Sequence, residues 1–478
     1  MPGQSTKQQR RVAILTLGCA RNEVDSEELA GRLADEGWTL VADTEDADAV
    51  LVNTCGFIDA AKKESIDTVL AARASADEQG RSQAVVAVGC LAERYGNVLA
   101  GELPEADAVL GFDDYPAIAA RLTSVLEGDV PQAHEPVDRR TLLPISPVER
   151  QEQRERAREG WIPPVPRIRL GSGPVASVKL ATGCDRRCTF CAIPAFRGSF
   201  VSRTPPEVTA EIGEMVGHGV QEVILVSENT TSYGKDLGDM RLLESVLPQF
   251  ASGTGVSRIR LSYLQPAEMR PGLIAAITGT SAVADYFDLS FQHASPTVLR
   301  AMRRFGGTED FLELIESIRE LAPAAGLRSN VIVGFPGERD EDVDELATFL
   351  EAARLDAVGV FAYSDEDGTA AASLPDKNDE AVIESRRARI ADLVEELMAQ
   401  RAAERIGEKV EVLIEGIDDE GRAFGRAAHQ GPDDGACLIE EPTEGAIDRV
   451  SPLPQAGAWV SGTVVDSHGV DLIVRPES

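Results

Sequence analysis

The chain has 478 residues, of which 43% are hydrophobic and 27% charged, proportions typical of a globular protein with about three domains. Its seven cysteines argue against a disulfide framework, and no apolar stretch is long enough to span a membrane, so we predict a cytoplasmic protein. The formal net charge of −33 either serves solubility or repels phosphate backbones and attracts cationic partners.

The first third of the chain divides into a predicted domain and a predicted linker. Residues 10–126 alternate short β-branched runs with helical segments, which predicts a doubly wound α/β domain. The helices are predicted at residues 26–36 and 60–74, and the strands at residues 12–17, 49–52, 84–88 and 106–111. Residues 127–169 are rich in proline and charge and lack apolar periodicity, which predicts a linker with one exposed helical segment.

A cysteine follows each of the first three predicted strands, and a glycine stands beside each of them. These residues are Cys19, Cys55 and Cys90. Because the loops after parallel strands gather at one edge of an open α/β sheet, the three thiols can converge and form a metal site. The alternative is that they are small buried residues in strand-end turns, since free cysteine is often buried simply as a hydrophobe.

Residues 170–402 alternate strands and helices again, over six repeats. The strands are predicted at residues 178–180, 222–226, 258–261, 286–289, 328–333 and 357–361. A full parallel (β/α) barrel has eight strands, so six predict an open or partial barrel. Functional residues are then expected in the loops at the carboxyl ends of these strands.

The loop after the first of these strands contains Cys184, Cys188 and Cys191 in a Cys-x3-Cys-x2-Cys spacing, with Phe190 just before the last cysteine. Three ligands suit a four-iron cluster that keeps one iron open, whereas a structural zinc site needs a fourth ligand. The nearest histidine, His218, lies well down the chain. The motif therefore favours a catalytic iron–sulfur cluster over a zinc knuckle.

Other polar residues follow the later strands of the predicted barrel. Ser227 and Glu228 come after the second strand, and Gly334 and Gly337 stand in a turn after the fifth, which is either a ligand-binding loop or an ordinary strand-to-helix turn. His293 follows the fourth strand, and it is either a candidate catalytic residue or a structural hydrogen-bonding residue. Four arginines near these loops could each hold a carboxylate or pair on the surface: Arg197, Arg203, Arg303 and Arg304.

Residues 404–475 change character to five short strands, predicted at residues 409–414, 422–427, 436–439, 459–465 and 472–474, which indicate a small antiparallel β-barrel. Residues 407–478 contain 15 acidic and 5 basic residues, a net charge of −10. An RNA-binding barrel needs a basic groove with stacking aromatics, and this region has Phe424 and Trp459 but little positive charge. We therefore expect a basic protein partner and little direct RNA binding. Cys437, alone in this region, is expected to be structural.

Taken together, the cysteine motifs resemble those of the radical S-adenosylmethionine (SAM) methylthiotransferases, over nearly the whole chain. The resemblance rests on Leu17-Gly18-Cys19-x2-Asn22-x2-Asp25-Ser26, Asn53-Thr54-Cys55, Gly89-Cys90 and the triplet at Cys184. It implies two [4Fe-4S] clusters and a terminal TRAM domain. The auxiliary cluster would be held by Cys19, Cys55 and Cys90, and the radical cluster by Cys184, Cys188 and Cys191.

The resemblance also implies where SAM binds and what the reaction is. Phe190 would lie near the adenine, and SAM would contact Ser227, Glu228 and the loop from Gly334 to Gly337, although Ser227-Glu228-Asn229 departs from the family's common Gly-Gly-Glu form. One SAM would methylate a sulfur at the auxiliary cluster, and a second would be cleaved reductively so that a methylthio group reaches an unactivated carbon. A reduced flavodoxin or ferredoxin is the implied electron source, and the protein is expected to be a monomer without membrane contact.

Two segments, residues 286–295 and 361–369, resemble the RimO branch of this family, which modifies an aspartate of small-subunit ribosomal protein S-twelve. That protein is basic, so the resemblance agrees with the acidic charge of the chain. One alternative is a tRNA adenosine methylthiotransferase, as in the MiaB branch. Another is an iron–sulfur carrier without chemistry of its own, against which the complete SAM-binding barrel argues.

Overall fold

The computed structural model describes residues 10–78, 80, 83–139, 167–440 and 453–477. The chain forms two compact units, Met1–Ser172 with Ala192–Ser199, and Gly173–Cys191 with Phe200–Ser478. The middle of the predicted linker, residues 140–166 with its predicted helical segment, lies outside the described residues. Among the helices of the described part, none combines the length and the apolar character needed to cross a bilayer.

The first unit contains a five-stranded parallel sheet with the order β2-β1-β3-β4-β5. Its strands are β1 Arg11–Thr16, β2 Thr39–Leu40, β3 Ala49–Thr54, β4 Ala84–Gly89 and β5 Ala108–Val109. Its helices are Ala20–Asp35, Asp59–Glu78, Cys90–Glu102, Ile118–Leu126 and the short Ile193–Arg197, and the 3-10 turns are Thr44–Asp46 and Phe112–Ala117.

Helices cover both faces of this sheet, which confirms the predicted doubly wound fold. Leu29 of the first helix and Ile118 of the fourth pack with Val86 on one face. Val69 of the second helix and Leu91 of the third pack on the opposite face. Strands β3 and β4 are consequently buried along their whole length, as expected for central strands of a parallel sheet.

The first helix begins six residues earlier than residues 26–36 predicted, since it covers Ala20–Asp35. Its first turns carry polar residues that interrupt the apolar periodicity, and these residues are nevertheless buried. Asn22 Nδ2 donates to the carbonyl oxygens of Leu17 and Thr54 at 3.0 and 3.1 Å. Because the strand ends supply these partners, the helix can bury a polar face there, which periodicity alone does not reveal.

The second unit contains the six predicted parallel strands in two three-stranded sheets. Their orders are β10-β9-β6 and β11-β12-β13, and the parallel bridges Ile259–Val283 and Leu264–Leu289 connect the two sheets. This is the partial barrel that the sequence predicts. The strands are β6 Val175–Lys179, β9 Glu222–Val226, β10 Arg258–Leu261, β11 Tyr286–Gln292, β12 Gly326–Val333 and β13 Ala357–Ala362.

The helices of this unit alternate with the strands and bury a shared core that includes Ile212, Phe250, Phe291 and Phe349. An antiparallel pair that the sequence did not predict, β7 Ala181–Thr182 with β8 Val201–Ser202, flanks the cysteine loop. The helices are Pro205–Gly217, Leu242–Thr254, Pro271–Gly279, Pro296–Ala301, Thr308–Leu321, Asp340–Ala353 and Glu380–Glu404, with 3-10 turns at Thr230–Ser232, Pro266–Glu268 and Ala371–Ser373.

The last five strands close into a barrel in the order β14-β15-β16-β18-β17. They are β14 Lys409–Ile417, β15 Ala423–Arg426, β16 Cys437–Ile439, β17 Trp459–His468 and β18 Asp471–Pro476. The prediction of a wholly antiparallel barrel is wrong in one respect, because β16 and β18 pair in parallel. A closed ring with an odd number of strands cannot alternate direction throughout, so one parallel pair is unavoidable. Cys437 is fully buried in the barrel core, where its thiol donates to Gln430 Oε1 at 3.0 Å.

Buried charges attach this terminal barrel to the amino ends of the central strands. Arg258, at the start of β10, donates to the carbonyl oxygens of Arg426 and Glu411 at 3.0 and 2.9 Å. Arg260 donates to the carbonyl oxygen of Ala428 at 2.7 Å. Both guanidinium groups also pair with Glu222, at the start of β9.

Burial raises the pKa of Glu222, but Arg260 and Arg258 outweigh that effect and hold the pKa below its ordinary value. The carboxylate therefore stays ionised beside the two arginines. A second link joins the start of β11 to the barrel, where the Tyr286 hydroxyl donates to Asp434 Oδ2 at 2.5 Å and Arg328 Nε donates to Asp434 Oδ1 at 2.8 Å. Removing one member of such a buried set costs about 3–5 kcal/mol, so the barrel is firmly held.

Candidate functional site

The three N-terminal cysteines lie at the carboxyl edge of the first sheet. Cys19 is the N-cap of the helix Ala20–Asp35, Cys55 directly follows β3, and Cys90 opens the helix Cys90–Glu102 directly after β4. The parallel register aligns Thr16 of β1 with Asn53, and Thr54 with Gly89, so the three strand ends are level. The structure thus brings the three thiols to one edge, in loops that open onto helix N-termini, where a negative charge is favoured.

Gly18 lets the loop of Cys19 pass close over Cys55. Its φ is +87°, a left-handed conformation that favours glycine. A Cβ at this position would lie 2.9 Å from Cys55 Sγ and 2.8 Å from Cys55 Cβ. Any larger residue would therefore push the two cysteine loops apart, which gives the glycine beside Cys19 a steric role.

The three thiols differ in their electrostatic surroundings. Burial raises the pKa of Cys19, but the charges of Arg21 and Arg197 outweigh it, so the pKa lies below its ordinary value. Burial raises the pKa of the Cys90 thiol to about 11, and it also raises the pKa of Cys55. The arginines therefore favour the thiolate form of Cys19, whereas burial disfavours the thiolate forms of Cys55 and Cys90.

The three thiols of this edge suit an iron–sulfur cluster, because soft thiolates are the ligands that hold [4Fe-4S] clusters. Three of them leave one iron open to another ligand. In the described part of the chain, no group of three or more His, Cys, Asp or Glu side chains is arranged around a single metal ion.

The second cysteine triplet lies in the loop that follows β7. Cys184 is buried, and the backbone N–H of Arg186 donates to its Sγ at 3.4 Å. The Cys191 N–H donates to the Cys188 carbonyl oxygen at 3.2 Å, which makes the second half of the loop a tight turn. Burial raises the pKa of Cys184 to about 12, and the nearby charges of Cys188 and Glu228 add to the effect.

Glu268 ties the cysteine loop to the next strand-end loop. Its Oε1 accepts from Arg186 Nη2 at 2.7 Å, and its Oε2 accepts from Asn229 Nδ2 at 3.1 Å and from Ser232 Oγ at 2.7 Å. Asn229 in turn bonds through its N–H to Ser227 Oγ at 3.2 Å. The roles of Glu268 and Arg186 could not be predicted from the sequence, because Glu268 lies seven residues beyond the end of its strand.

The four arginines that the sequence could not assign have distinct places. Arg304 Nη1 lies 3.7 Å from Cys188 Sγ as a hydrogen-bond donor, and Arg304 also donates to the Ser290 carbonyl oxygen. Arg203 pairs with Glu211, and Arg303 is exposed. Arg197 belongs to the first unit, where it donates to Cys90 Sγ at 3.1 Å. Two of the four therefore contact a cysteine of a triad.

Phe190 and the turn after β12 come together in the second unit. Phe190 packs against a cluster that contains Phe335, Met302 and Tyr363. Gly334 has a φ of +82°, and a Cβ there would lie 2.6 Å from Ile383 Cγ1, so the turn requires glycine at this position. The Gly337 N–H donates to the Asp376 carbonyl oxygen at 2.8 Å, which fixes the far end of the turn.

His293 is fully buried behind this turn, so the structure favours its structural interpretation over a catalytic role. Its Nδ1 accepts from the Ser295 N–H at 3.0 Å, and its Nε2 lies 3.4 Å from Glu338 Oε2. Glu338 Oε1 accepts from the Gly334 N–H at 2.8 Å and from Arg386 Nη1 at 3.0 Å. The hydrogen bond from the Ser295 N–H is therefore the contact that fixes the His293 ring, since Nε2 of His293 and Oε2 of Glu338 have no hydrogen-bond partner in the described part of the chain.

Replacing His293 with alanine is expected to lower the free energy of unfolding by about 1–3 kcal/mol, because the buried Ser295 N–H loses its acceptor. His293→Asn is the control, since its side-chain oxygen can replace Nδ1 as acceptor. Chemical denaturation of both variants measures the difference. A His293→Ala protein that is as stable as the parent but inactive would instead assign His293 to the chemistry.

Three family models match the chain in order. "Uncharacterized protein family UPF0004" matches residues 11–111, the Radical SAM superfamily matches residues 178–350, and the TRAM domain matches residues 406–476. Among solved structures, the radical SAM methyltransferase TsrM from Kitasatospora setae, with cobalamin and a [4Fe-4S] cluster bound, is similar with a TM-score of 0.53. It is 15% identical over 74% of this chain and 75% of that chain, a likeness that concerns the fold alone.

Similar proteins extend over nearly the full length. A protein of Kineococcus radiotolerans is 60% identical over 98% of this chain and 97% of its own, and one of Streptomyces avermitilis is 57% identical over the same shares. A protein of a Nocardioides species is 59% identical over 97% of each chain. All three are named ribosomal protein uS12 methylthiotransferase RimO, and the tRNA-modifying alternative is not favoured. With these identities over its whole length, and with both cysteine triads at strand ends, the chain belongs to the RimO family of methylthiotransferases.

Proposed function

We propose that this chain transfers a methylthio group to the β-carbon of an aspartate in ribosomal protein uS12, with two SAM molecules consumed per product. The observation that carries the proposal is the pair of cysteine triads, each in strand-end loops of its own α/β unit. Full-length relatives with the uS12 methylthiotransferase name support the choice of substrate.

Each triad is proposed to hold one [4Fe-4S] cluster, and the clusters with SAM would supply the radical and sulfur chemistry when bound. The chain contributes the thiolates and their surroundings. Cys19, Cys55 and Cys90 would hold the auxiliary cluster, and Cys184, Cys188 and Cys191 the radical cluster. Cys55, Cys90 and Cys184 are buried, whereas Cys19, Cys188 and Cys191 are partly exposed.

The residues proposed to bind SAM surround the second triplet. Phe190 packs against the cluster that includes Phe335, so its ring and the turn from Gly334 to Gly337 can act on one ligand. Ser227 and Glu228 belong to the loop that Glu268 connects to the cysteine loop. The Glu228 carboxylate is proposed to accept from the SAM amino group, as the resemblance to the family implies.

The terminal barrel is proposed to attract uS12 through charge. Each basic side chain of the barrel in the described residues is already paired with an acid: Lys409 with Glu477, Arg422 with Asp418, Arg426 with Glu415 and Arg475 with Glu440. The Trp459 ring is covered by the Arg258 guanidinium, whose carbon lies 4.4 Å from the ring centroid. These pairs, together with Arg258 over the Trp459 ring, support the proposal that the barrel binds a basic protein and little RNA.

We further propose the domain limits 10–126 for the N-terminal domain, 127–169 for the linker, 170–402 for the radical SAM core and 404–475 for the TRAM barrel. The strands and helices described above support these limits, because the first strand begins at Arg11 and the long helix of the core ends at Glu404. A monomer in the cytoplasm that receives electrons from flavodoxin or ferredoxin completes the proposal.

The substrate test offers the reconstituted full-length enzyme purified uS12 and, separately, tRNA, with mass spectrometry as the measurement. We expect a methylthio adduct on one aspartate of uS12 and none on tRNA. The double change Asp419→Lys and Glu420→Lys, at exposed acids of the barrel, should weaken uS12 binding about tenfold at low salt, because each exposed pair contributes about 0.2–1 kcal/mol and reversal adds repulsion.

The matched control reverses the same number of charges elsewhere, with Glu316→Lys and Glu320→Lys on the exposed face of the helix Thr308–Leu321. Its affinity for uS12 should stay within about twofold of the parent at the same salt. Adducts on tRNA with unmodified uS12 would contradict the proposed substrate. Equal weakening by both double variants would contradict a role for the barrel acids in particular.

A further inference from the structure

Arg197 makes three contacts at the N-terminal cysteine edge through a single nitrogen. Its Nη2 donates to Asp25 Oδ2 at 2.8 Å, to Asn22 Oδ1 at 2.9 Å and to Cys90 Sγ at 3.1 Å. The side chain is 7% exposed, and that of Asp25 is 9% exposed. A positive charge is therefore buried in direct contact with one of the three thiols.

The surroundings hold this guanidinium in place. Asn22, one of its acceptors, is anchored by two further bonds from its Nδ2 to backbone carbonyl oxygens, and its own carbonyl oxygen accepts from Asn53 Nδ2 at 2.9 Å. The Arg197 guanidinium carbon also lies 5.0 Å from the centroid of the Phe112 ring, within reach of a cation–π interaction. The donor thus cannot turn away from Cys90 without breaking several contacts.

The helix that carries Arg197 is part of the same arrangement. Ala192 and Phe196 pack against Cys90 and Phe112 in one small apolar cluster. A buried ion pair with Asp25 alone would be a structural feature of this cluster. The hydrogen bond from Arg197 to Cys90 Sγ is not needed for an ion pair with Asp25. It is therefore the observation that relates Arg197 to the cysteine site.

We propose that Arg197 is a positioning residue for the cluster held by Cys19, Cys55 and Cys90, and that its charge and its bond to the Cys90 sulfur raise the reduction potential of that cluster. The proposal rests on the proposed function, which places a cluster there. Net charge and hydrogen bonds to the sulfurs set the potential of iron–sulfur clusters. A fixed cation stabilises the more negative, reduced state and so makes reduction easier.

The experiment uses the full-length chain with Cys184, Cys188 and Cys191 changed to alanine, so that only the N-terminal cluster contributes to the signal. In this background, Arg197→Gln removes the positive charge. Arg197→Lys keeps the positive charge but lacks the planar guanidinium group with its several N–H donors. Arg121→Gln is the matched control, since it removes one charge from the same unit at a pair with Asp114 where the arginine side chain is 45% exposed. Redox titration followed by electron paramagnetic resonance gives the midpoint potential of each variant, and iron analysis gives its cluster content.

We expect Arg197→Gln to shift the midpoint potential to a more negative value, Arg197→Lys to shift it less, and Arg121→Gln to leave it unchanged. If Arg197→Gln binds no iron while Arg197→Lys does, the charge is again supported. An unchanged potential in Arg197→Gln, an equal shift in Arg121→Gln, or loss of iron from both Arg197 variants overturns the proposal and leaves the proposed function intact. A background protein without any cluster overturns both.

Discussion

Replacing Cys184, Cys188 and Cys191 together with alanine is expected to abolish the release of 5′-deoxyadenosine from SAM and to leave roughly half of the bound iron. The reason is that the three thiols stand in one strand-end loop and include every cysteine of the second unit except Cys437, which is buried in the terminal barrel. Without them no thiolate remains in the loop that contains Phe190. Iron analysis and chromatography of the nucleoside product under reducing conditions measure the two effects.

The fold should survive this triple change, because other contacts hold the loop. Arg186 pairs with Glu268, and the Thr189 N–H donates to the Met302 carbonyl oxygen at 3.1 Å. Cys437→Ala is the control, since it removes a buried thiol outside both triads and should change neither iron content nor deoxyadenosine release. Deoxyadenosine from the triple variant at the rate of the parent would show that the radical cluster lies elsewhere.

Replacing Cys19, Cys55 and Cys90 with alanine should have the complementary effect. Reductive cleavage of SAM is expected to continue, while the methylthio product on uS12 disappears and roughly half of the iron remains. The two triads belong to different units of the chain, so the loss of one leaves the thiols of the other in place. Deoxyadenosine and methylthiolated uS12 are measured in the same reaction.

A matched control for this second variant is Gln in place of Arg121, which alters the surface of the same unit without touching the cysteine edge. Circular dichroism should show the α/β fold of all these proteins, since the first sheet is buried by Leu29, Ile118, Val69 and Leu91 independently of the cysteines. Full formation of the methylthio product by the variant would rule out an auxiliary cluster at Cys19, Cys55 and Cys90.

The fold could be predicted well from the sequence because its strands are short, apolar and separated by polar loops. The bounds of the strands Glu222–Val226 and Arg258–Leu261 were predicted as the structure has them. The start of the first helix could not be predicted. Asn22 and Ser26 are typical loop residues in the sequence, and their hydrogen-bond partners at the strand ends are visible only in the structure. The parallel pair of the last barrel was also missed, although the odd number of its strands requires it.

The sequence singles out the cysteines of the candidate site and names Arg197 and Arg304 without assigning them a partner, but it gives no signal for Glu268. Cysteines have a spacing that can be recognised, and strand ends give them a place. Glu268, Arg304 and Arg197 have no such spacing, since each reaches its cysteine loop from a different part of the chain. His293 is a different case, because its position in a strand-end loop allows a catalytic or a structural role, and its full burial is expected of a structural residue.

The terminal barrel is attached at the starts of the central strands. A fixed distance therefore separates the barrel from the loops at the carboxyl ends of these strands. Arg258, Tyr286 and Arg328 fix the barrel at the amino ends, while the cysteine loop and the turn at Gly334 follow the carboxyl ends. Strands of four to eight residues separate the two ends by roughly 13–26 Å. A protein bound to the acidic side chains of the barrel must extend a segment across that distance. If uS12 binds the barrel as proposed, we expect the length of the loop that presents the aspartate, as well as its sequence, to determine whether the bound protein is modified.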